Sequence, residues 1–192
     1  MLALIFAAPI LLNAQDIVQV NVPLRASLVA EQISLPTFKG HGGRWGYGLS
    51  FGSGFTYKSG KKLAFAQGID LYATQHREYG SAFQLLAPAE LRLNAGKVLI
   101  GGRLGPGLML FYNYSPVYQL RDGVYQQRSP LQFKFSGILG VSLGYITRIG
   151  SPYAGYSILL ESPFVRSGSA FLPHQLFELG MRWTLKLKKD AE

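Results

Sequence analysis

Between Arg44 and Tyr57 the chain reads RWGYGLSFGSGFTY: from Trp45 on, the odd positions except Ser53 hold an aromatic ring or Leu, and the even positions hold Gly, Ser or Thr. A period of two is the signature of a strand with two unlike faces. In a soluble sandwich the polar face meets water and carries Lys, Glu, Gln and Thr. Here that face is mostly glycine, so the large groups turn toward something apolar and the small ones toward a crowded interior.

Seven further segments share the period. Val18 to Leu35 sets Val18, Val20, Val22, Leu24, Ala26 and Leu28 against Gln19, Asn21, Arg25 and Ser27. Lys62 to Gln75 sets Leu63, Phe65, Ile69 and Leu71 against Gly68, Asp70, Tyr72 and Thr74. Ala82 to Asn94 opposes Phe83, Leu85, Ala87, Leu91 and Leu93 to Gln84, Glu90 and Arg92, and Val98 to Tyr112 opposes Leu104, Leu108 and Leu110 to Gly101, Arg103, Gly105 and Gly107. Leu131 to Thr147 is the cleanest, with Phe133, Phe135, Leu139, Val141 and Leu143 facing away from Lys134, Ser136, Gly140 and Ser142. Tyr153 to Phe164 and His174 to Leu187 complete the set, with Gly155, Ser157 and Glu161, then Glu178, Gly180, Arg182 and Thr184, on the inner side.

Each segment exceeds the roughly 9 to 11 residues of a tilted transmembrane strand. Short connections around Ser59, Ala95 and Gly150 alternate with longer ones around Lys39, around Arg77, at 113–130 and at 166–173. The pattern predicts an all-β fold, an eight-stranded antiparallel up-and-down transmembrane β-barrel with both termini on the periplasmic side. Aromatic residues fall into two girdles under this topology: Trp45, Phe83, Tyr112, Phe133 and Phe164 at the outer rim, and Tyr57, Phe65, Tyr145, Tyr153 and Trp183 at the inner one.

Composition agrees. Charged residues make up 15% of the chain, against roughly 25% in soluble proteins. The absence of cysteine removes disulfides, thiolate metal sites and thiol nucleophiles together, and no cofactor or metal motif stands out. Residues 1–14, MLALIFAAPILLNA, read as a signal peptide ahead of a barrel at 15–192. The whole mature pattern resembles the small eight-stranded outer-membrane barrels of the OmpA and OmpX type, which implies a Gram-negative outer membrane. It departs from them in the basic tail TLKLKKDAE after Trp183.

The inner face carries Arg25, Arg92, Arg103, Lys134 and Arg182 beside Asp70, Glu90, Glu161 and Glu178. Such near-balance predicts mutual salt bridges, because an isolated charge in so narrow a space is costly to desolvate. The inward glycines make room for the guanidinium groups, and the expected barrel is plugged.

The net charge of +9 divides between the rims. Lys58, Lys61, Lys62, Lys97, Arg148, Lys186, Lys188 and Lys189 belong to the periplasmic edge, where anionic lipid head groups are partners. Lys39, Arg44, Arg77, Arg121, Arg128 and Arg166 fall outside, facing lipopolysaccharide phosphates. The aromatics lie on the lipid face, not in a basic groove, which argues against nucleic acid.

Two G-x-S-x-G matches, at Gly48 and Gly140, lie mid-strand, where small inward residues create the motif and the sharp elbow it needs is missing. GGRLGPG, Gly101 to Gly107, lacks the following helix of a phosphate loop. His41, His76 and His174 are placed at or beyond the outer rim as loop residues. Lipid A-modifying barrels of the PagL and PagP types set a His, a Ser and an acid near that level. By that resemblance His174, Glu178 and Ser167 or Ser169 form an alternative catalytic set, although no His-x-Ser pair is present. The segment 113–130, with Tyr114, Tyr118, Arg121 and Tyr125 around an Asp122-Gly123 turn, reads as a hairpin and a partner-contact loop. The favoured reading is a non-catalytic barrel serving envelope integrity or adhesion, or acting as a subunit of a larger outer-membrane complex. The lipid A enzyme and a lipid or small-solute transporter are the alternatives.

Overall fold

A computed structural model describes residues 19–33, 45–60, 62–116, 118–121, 123–127, 129–162 and 171–188. The proposed signal segment, His41, Phe164, Ser167 and Ser169 lie outside the described residues. In chain order the strands are β1 (Gln19–Ile33), β2 (Trp45–Ser59), β3 (Leu63–His76), β4 (Gly80–Leu86), β5 (Ala89–Ala95), β6 (Val98–Asn113), β7 (Tyr118–Arg121), β8 (Val124–Gln127), β9 (Leu131–Tyr145), β10 (Ser151–Ser162) and β11 (Leu172–Lys188).

β4 and β5 are halves of one wall strand. Asp70 faces Leu86 and Gln67 faces Ala89, so the register against β3 runs through the gap unchanged. Pro88 has no N–H to donate and breaks the ladder only locally; its carbonyl still accepts from Gly68 N at 2.7 Å, and Ala87 N donates to Pro106 O at 2.9 Å. With β4/β5 taken as one and β7–β8 as a separate hairpin, eight antiparallel strands follow each other around the wall, and β1 pairs with β11 to close it. Closure removes both free edges, the condition for strands to cross a bilayer.

The alternation read from the sequence is the alternation of the wall. Outward Leu104, Phe133, Leu139 and Leu179 are exposed, while inward Asp70, Leu86, Met109, Ser157 and Leu159 are each 0% exposed. An apolar exterior that runs around the whole barrel suits hydrocarbon, not water. Trp45, Phe83, Tyr112 and Phe133 lie on the outer surface, as do Tyr57, Phe65, Tyr145 and Trp183. Tyr153 does not: it is 5% exposed and points inward, sharing the parity of Gly155 and Ser157.

Two turns depend on glycine. Ala95 pairs with Val98, leaving a two-residue loop in which Gly96 takes φ +66°, and Arg121 pairs with Val124 around Gly123 at φ +78°. Tight hairpins whose twist matches their strands need φ above zero there, which glycine adopts without steric cost. The expected alternation of loop lengths is broken once: the connection at Arg77 spans only 77–79, shorter than the 146–150 turn at the opposite end. β3 and β4 pair up to His76 and Gly80, so the wall itself extends through the residues assigned to a loop.

Candidate functional site

The interior is layered along the barrel axis. At mid-height Arg103 of β6 donates through Nη1 to the Tyr72 hydroxyl at 2.7 Å and through Nη2 to Ser157 Oγ at 2.7 Å, and it forms a close ion pair with Glu178 of β11. Tyr72 donates to Glu178 Oε1 at 3.0 Å. The neighbouring Gly140 is required by this arrangement, because a Cβ there would run into Ser157 and come within 3.1 Å of Arg103 Nε.

Toward the short-turn end Arg25 is paired with Asp70, its Nε donating to Oδ1 at 2.9 Å. Glu90 then receives three guanidinium groups: Arg92 at 2.6 Å, Arg182 at 3.2 Å and Arg25 at 3.6 Å. Arg182 also donates to Ser142 Oγ at 2.8 Å and stacks over the Tyr153 ring, 4.3 Å from its centroid. That stacking explains why Tyr153 left the lipid girdle: a buried ring beside a guanidinium gains a cation–π contact, and its hydroxyl reaches Glu178 at 3.4 Å.

Toward the long-loop end the composition is reversed. Glu31 lies between two imidazoles, 2.6 Å from His174 Nδ1 and 3.1 Å from His76 Nε2, while His174 Nε2 is 3.2 Å from Glu161 and Glu161 pairs with Lys134. His76 is 3% and His174 2% exposed, which corrects their assignment to rim loops. Each follows the inward parity of its strand, His76 behind Tyr72 and Thr74, His174 ahead of Glu178. Glu31, which continues the Arg25–Ser27–Val29 face of β1, is the functional-looking residue that the sequence reading passed over.

An apolar cluster occupies much of the section between the two ends, while β3 keeps a polar inward series, Asp70, Tyr72, Thr74 and His76, along its length. Val29, Leu159 and Leu176 intervene between the polar clusters on β1, β10 and β11, and Met109, Ile138, Leu86 and Phe111 belong to the same apolar cluster. All nine inward ionic residues named from the sequence enter these networks. The alternative catalytic set is not assembled in the same way. Both ring nitrogens of His174 face carboxylates, leaving neither free to take a nucleophile's proton. Glu178 is engaged with Arg103 and Tyr72 on the other side of Leu176.

Of the proposed contact loop, Tyr114 belongs to the wall: Gln75 Nε2 donates to its hydroxyl at 3.1 Å, and that hydroxyl meets Ser81 Oγ at 2.7 Å. Tyr118 and Tyr125 stand on the β7–β8 hairpin, exposed, and the register puts them on one face because Leu120 pairs with Tyr125. The Arg121 side chain lies outside the described residues.

No protein-family model matches the sequence, and no curated protein does. Solved structures do. The attachment invasion locus protein Ail of Yersinia pestis superposes with a TM-score of 0.50 at 12% identity, over 85% of this chain and 99% of that one. Neisserial surface protein A gives 0.49 at 15%, over 84% and 94%, and the N-terminal barrel domain of Pseudomonas aeruginosa OprF gives 0.44 at 12%, over 85% and 97%. At such identity a likeness speaks of architecture, and activity has to be argued from this chain's own residues. The closed wall, its apolar exterior and the superposition on Ail together give the chain the fold of the small eight-stranded outer-membrane β-barrels.

Proposed function

We propose that this protein is a non-conducting, non-catalytic barrel of the Gram-negative outer membrane that acts through the surface it presents at its long-loop end, in adhesion, envelope integrity or as an accessory subunit of a larger outer-membrane complex. The observation that carries this reading is the contrast between a lumen occupied by side chains from its middle to its long-loop end and an exposed hairpin. The apolar cluster around Met109 and Leu159 fills much of the section between the two charged ends, while Tyr118, Val124 and Tyr125 are 58%, 61% and 73% exposed on a ribbon outside the wall. Tyrosine is enriched at protein interfaces. Arg77, exposed at the same end, suits lipopolysaccharide phosphate.

The test is the native mass of the protein after gentle detergent extraction from its own membranes, repeated with Tyr118→Ser/Tyr125→Ser. The expected result is either a stoichiometric assembly that the double variant releases, or a single barrel whose deletion strain loses surface attachment or envelope resistance, with the double variant reproducing the attachment defect. A single barrel whose deletion alters lipid A acylation would replace this reading with the enzyme. Stable conductance in planar bilayers would replace it with transport.

A further inference from the structure

The short-turn end of the lumen contains a cavity of about 580 Å³ open toward that end. An eight-stranded barrel is ordinarily just wide enough for its own side chains to fill, so a space of this size needs a cause. Gly52, Gly54 and Gly68 line it, and at Gly52 a Cβ would collide with Asp70 and approach Arg25 Nε to 2.5 Å. Glycine there keeps Arg25 in place and leaves the space beside it open.

The cavity is cationic. Arg25, Arg92, Arg148 and Arg182 line it with Glu90 as the only acid among its lining residues. Arg25 and Arg182 are each 8% exposed, yet Arg25 Nη1, Arg92 Nε, and Arg182 Nε and Nη1 are buried without a hydrogen-bond partner among the described residues. Glu90 is shared by three guanidinium groups without matching their donors, and its own Oε1, 3.2 Å from Arg182, has no hydrogen-bond partner among the described residues. Buried donors left unmatched are destabilising, and cationic groups converging on one carboxylate also repel one another. A second anion with several acceptor oxygens would relieve both. Guanidinium forks match tetrahedral oxyanions in charge and spacing. The approach is favourable as well: Arg148, exposed on the 146–150 turn, belongs to the cavity's own lining.

We propose that this vestibule is a binding site for a phosphate group, held by Arg25, Arg92 and Arg182 and admitted past Arg148. The phosphate is that of a free phosphate or of a phospholipid head group reaching in from the adjacent leaflet. The site is independent of the hairpin and of the contact function assigned to it.

The experiment is calorimetric titration of the full chain, folded in a maltoside detergent that carries no phosphate. One arm uses inorganic phosphate and the other a short-chain phosphatidylglycerol. One saturable site per barrel is expected in at least one arm; saturation with inorganic phosphate identifies the free ion, and saturation with the phospholipid alone identifies a head group. Arg92→Gln should weaken binding by about tenfold or more, since it removes a charge-assisted donor pair. Arg148→Gln, on an exposed turn where folding is not at risk, should weaken it by roughly threefold or more through lost attraction. Lys62→Gln/Lys97→Gln, which spares the cavity, should leave it within about twofold. Retained shift in mobility between heated and unheated samples on gels establishes that each variant is a folded barrel. No saturable binding in either arm would overturn the proposal. So would equal weakening by the rim-lysine pair and by Arg92→Gln, which would mean diffuse attraction to a basic edge.

Discussion

The two ends of the lumen solve the same problem with opposite chemistry. At the long-loop end, carboxylates are the centres: Glu31 bridges His76 and His174, and Glu161 bridges His174 and Lys134. At the short-turn end guanidinium groups surround a single Glu90, and a cavity stands beside them. Around Glu31 the buried atoms without a hydrogen-bond partner among the described residues are of mixed kind, acceptor and imidazole alike; around Glu90 they are mostly guanidinium donors. A structural plug would be expected to be matched throughout, because buried ionic groups gain stability only when geometry satisfies them. Unpartnered polar atoms occur at both ends among the described residues, Glu31 Oε2 and both ring nitrogens of His76 at one and Arg25 Nη1, Arg92 Nε and Arg182 Nε and Nη1 at the other, so what sets the short-turn end apart is that its unmatched groups are mostly guanidinium donors beside a cavity.

The largest effect should come from the group between the two ends. Arg103→Met would strand Glu178, 2% exposed, with only tyrosine hydroxyls for partners. Breaking a buried pair by removing one member costs about 3–5 kcal/mol, measurable as a lower urea midpoint for unfolding in lipid vesicles. A loss much below that would show that water reaches the middle of the lumen, and the division into two ends would fail.

Lumen effects must be separable from wall effects, and Leu139 provides the scale. It is 57% exposed on the outer face of β9, next to inward Gly140. Leu139→Arg should cost roughly 2–4 kcal/mol near the bilayer midplane and depress assembly, whereas inward Ser142→Thr should be nearly silent. Equal tolerance would mean that the faces are reversed or the exterior is not in lipid.

How much of this could be read beforehand follows from what alternation encodes. Parity gives the face of a residue, so the wall and the nine inward ionic residues were legible. Parity says nothing of depth or of partner, which depend on the stagger between strands. Hence the charge balance was visible, and the convergence of three arginines on Glu90 was not. His76 and His174 were legible in principle, since each continues an inward series, but a histidine near a strand end was taken for a loop residue. Tyr153 was misread for a related reason: a tyrosine near an interface suits the girdle by residue type, and only its parity with Gly155 and Ser157 shows that it turns inward. The tight turn at Arg77 escaped because TQHREYGSA carries only one glycine as punctuation, while pairing across His76 and Gly80 is a tertiary fact.

Comparing one cation from each end sharpens the contrast further. Lys134 is the ammonium partner of Glu161, which is 1% exposed, and it also lies 5.0 Å from the centre of the Phe111 ring. Lys134→Met removes one of the two cationic or basic groups holding that carboxylate, so a loss of about 2–3 kcal/mol in unfolding free energy is expected.

Arg92→Gln should behave differently, although it too deletes an ion pair with a buried glutamate. Glu90 retains Arg182 at 3.2 Å and Arg25 at 3.6 Å, so its charge stays compensated. The Arg92 side chain is 19% exposed, and its removal lessens the crowding of like charges around Glu90. With a lost contact and a relieved repulsion opposing each other, the net change should stay within about 1 kcal/mol of the parent. The measurement is a urea midpoint taken in phosphate-free buffer and a maltoside detergent in place of the phospholipid vesicles, so that no bound phosphate adds its own stabilisation to the parent alone. With the ligand that saturates in the titration added, the parent should then rise above the variant. A large loss without phosphate would instead mean that Arg92 is a structural partner of Glu90 on the same footing as Lys134 is of Glu161, and that the two ends differ in composition but not in purpose.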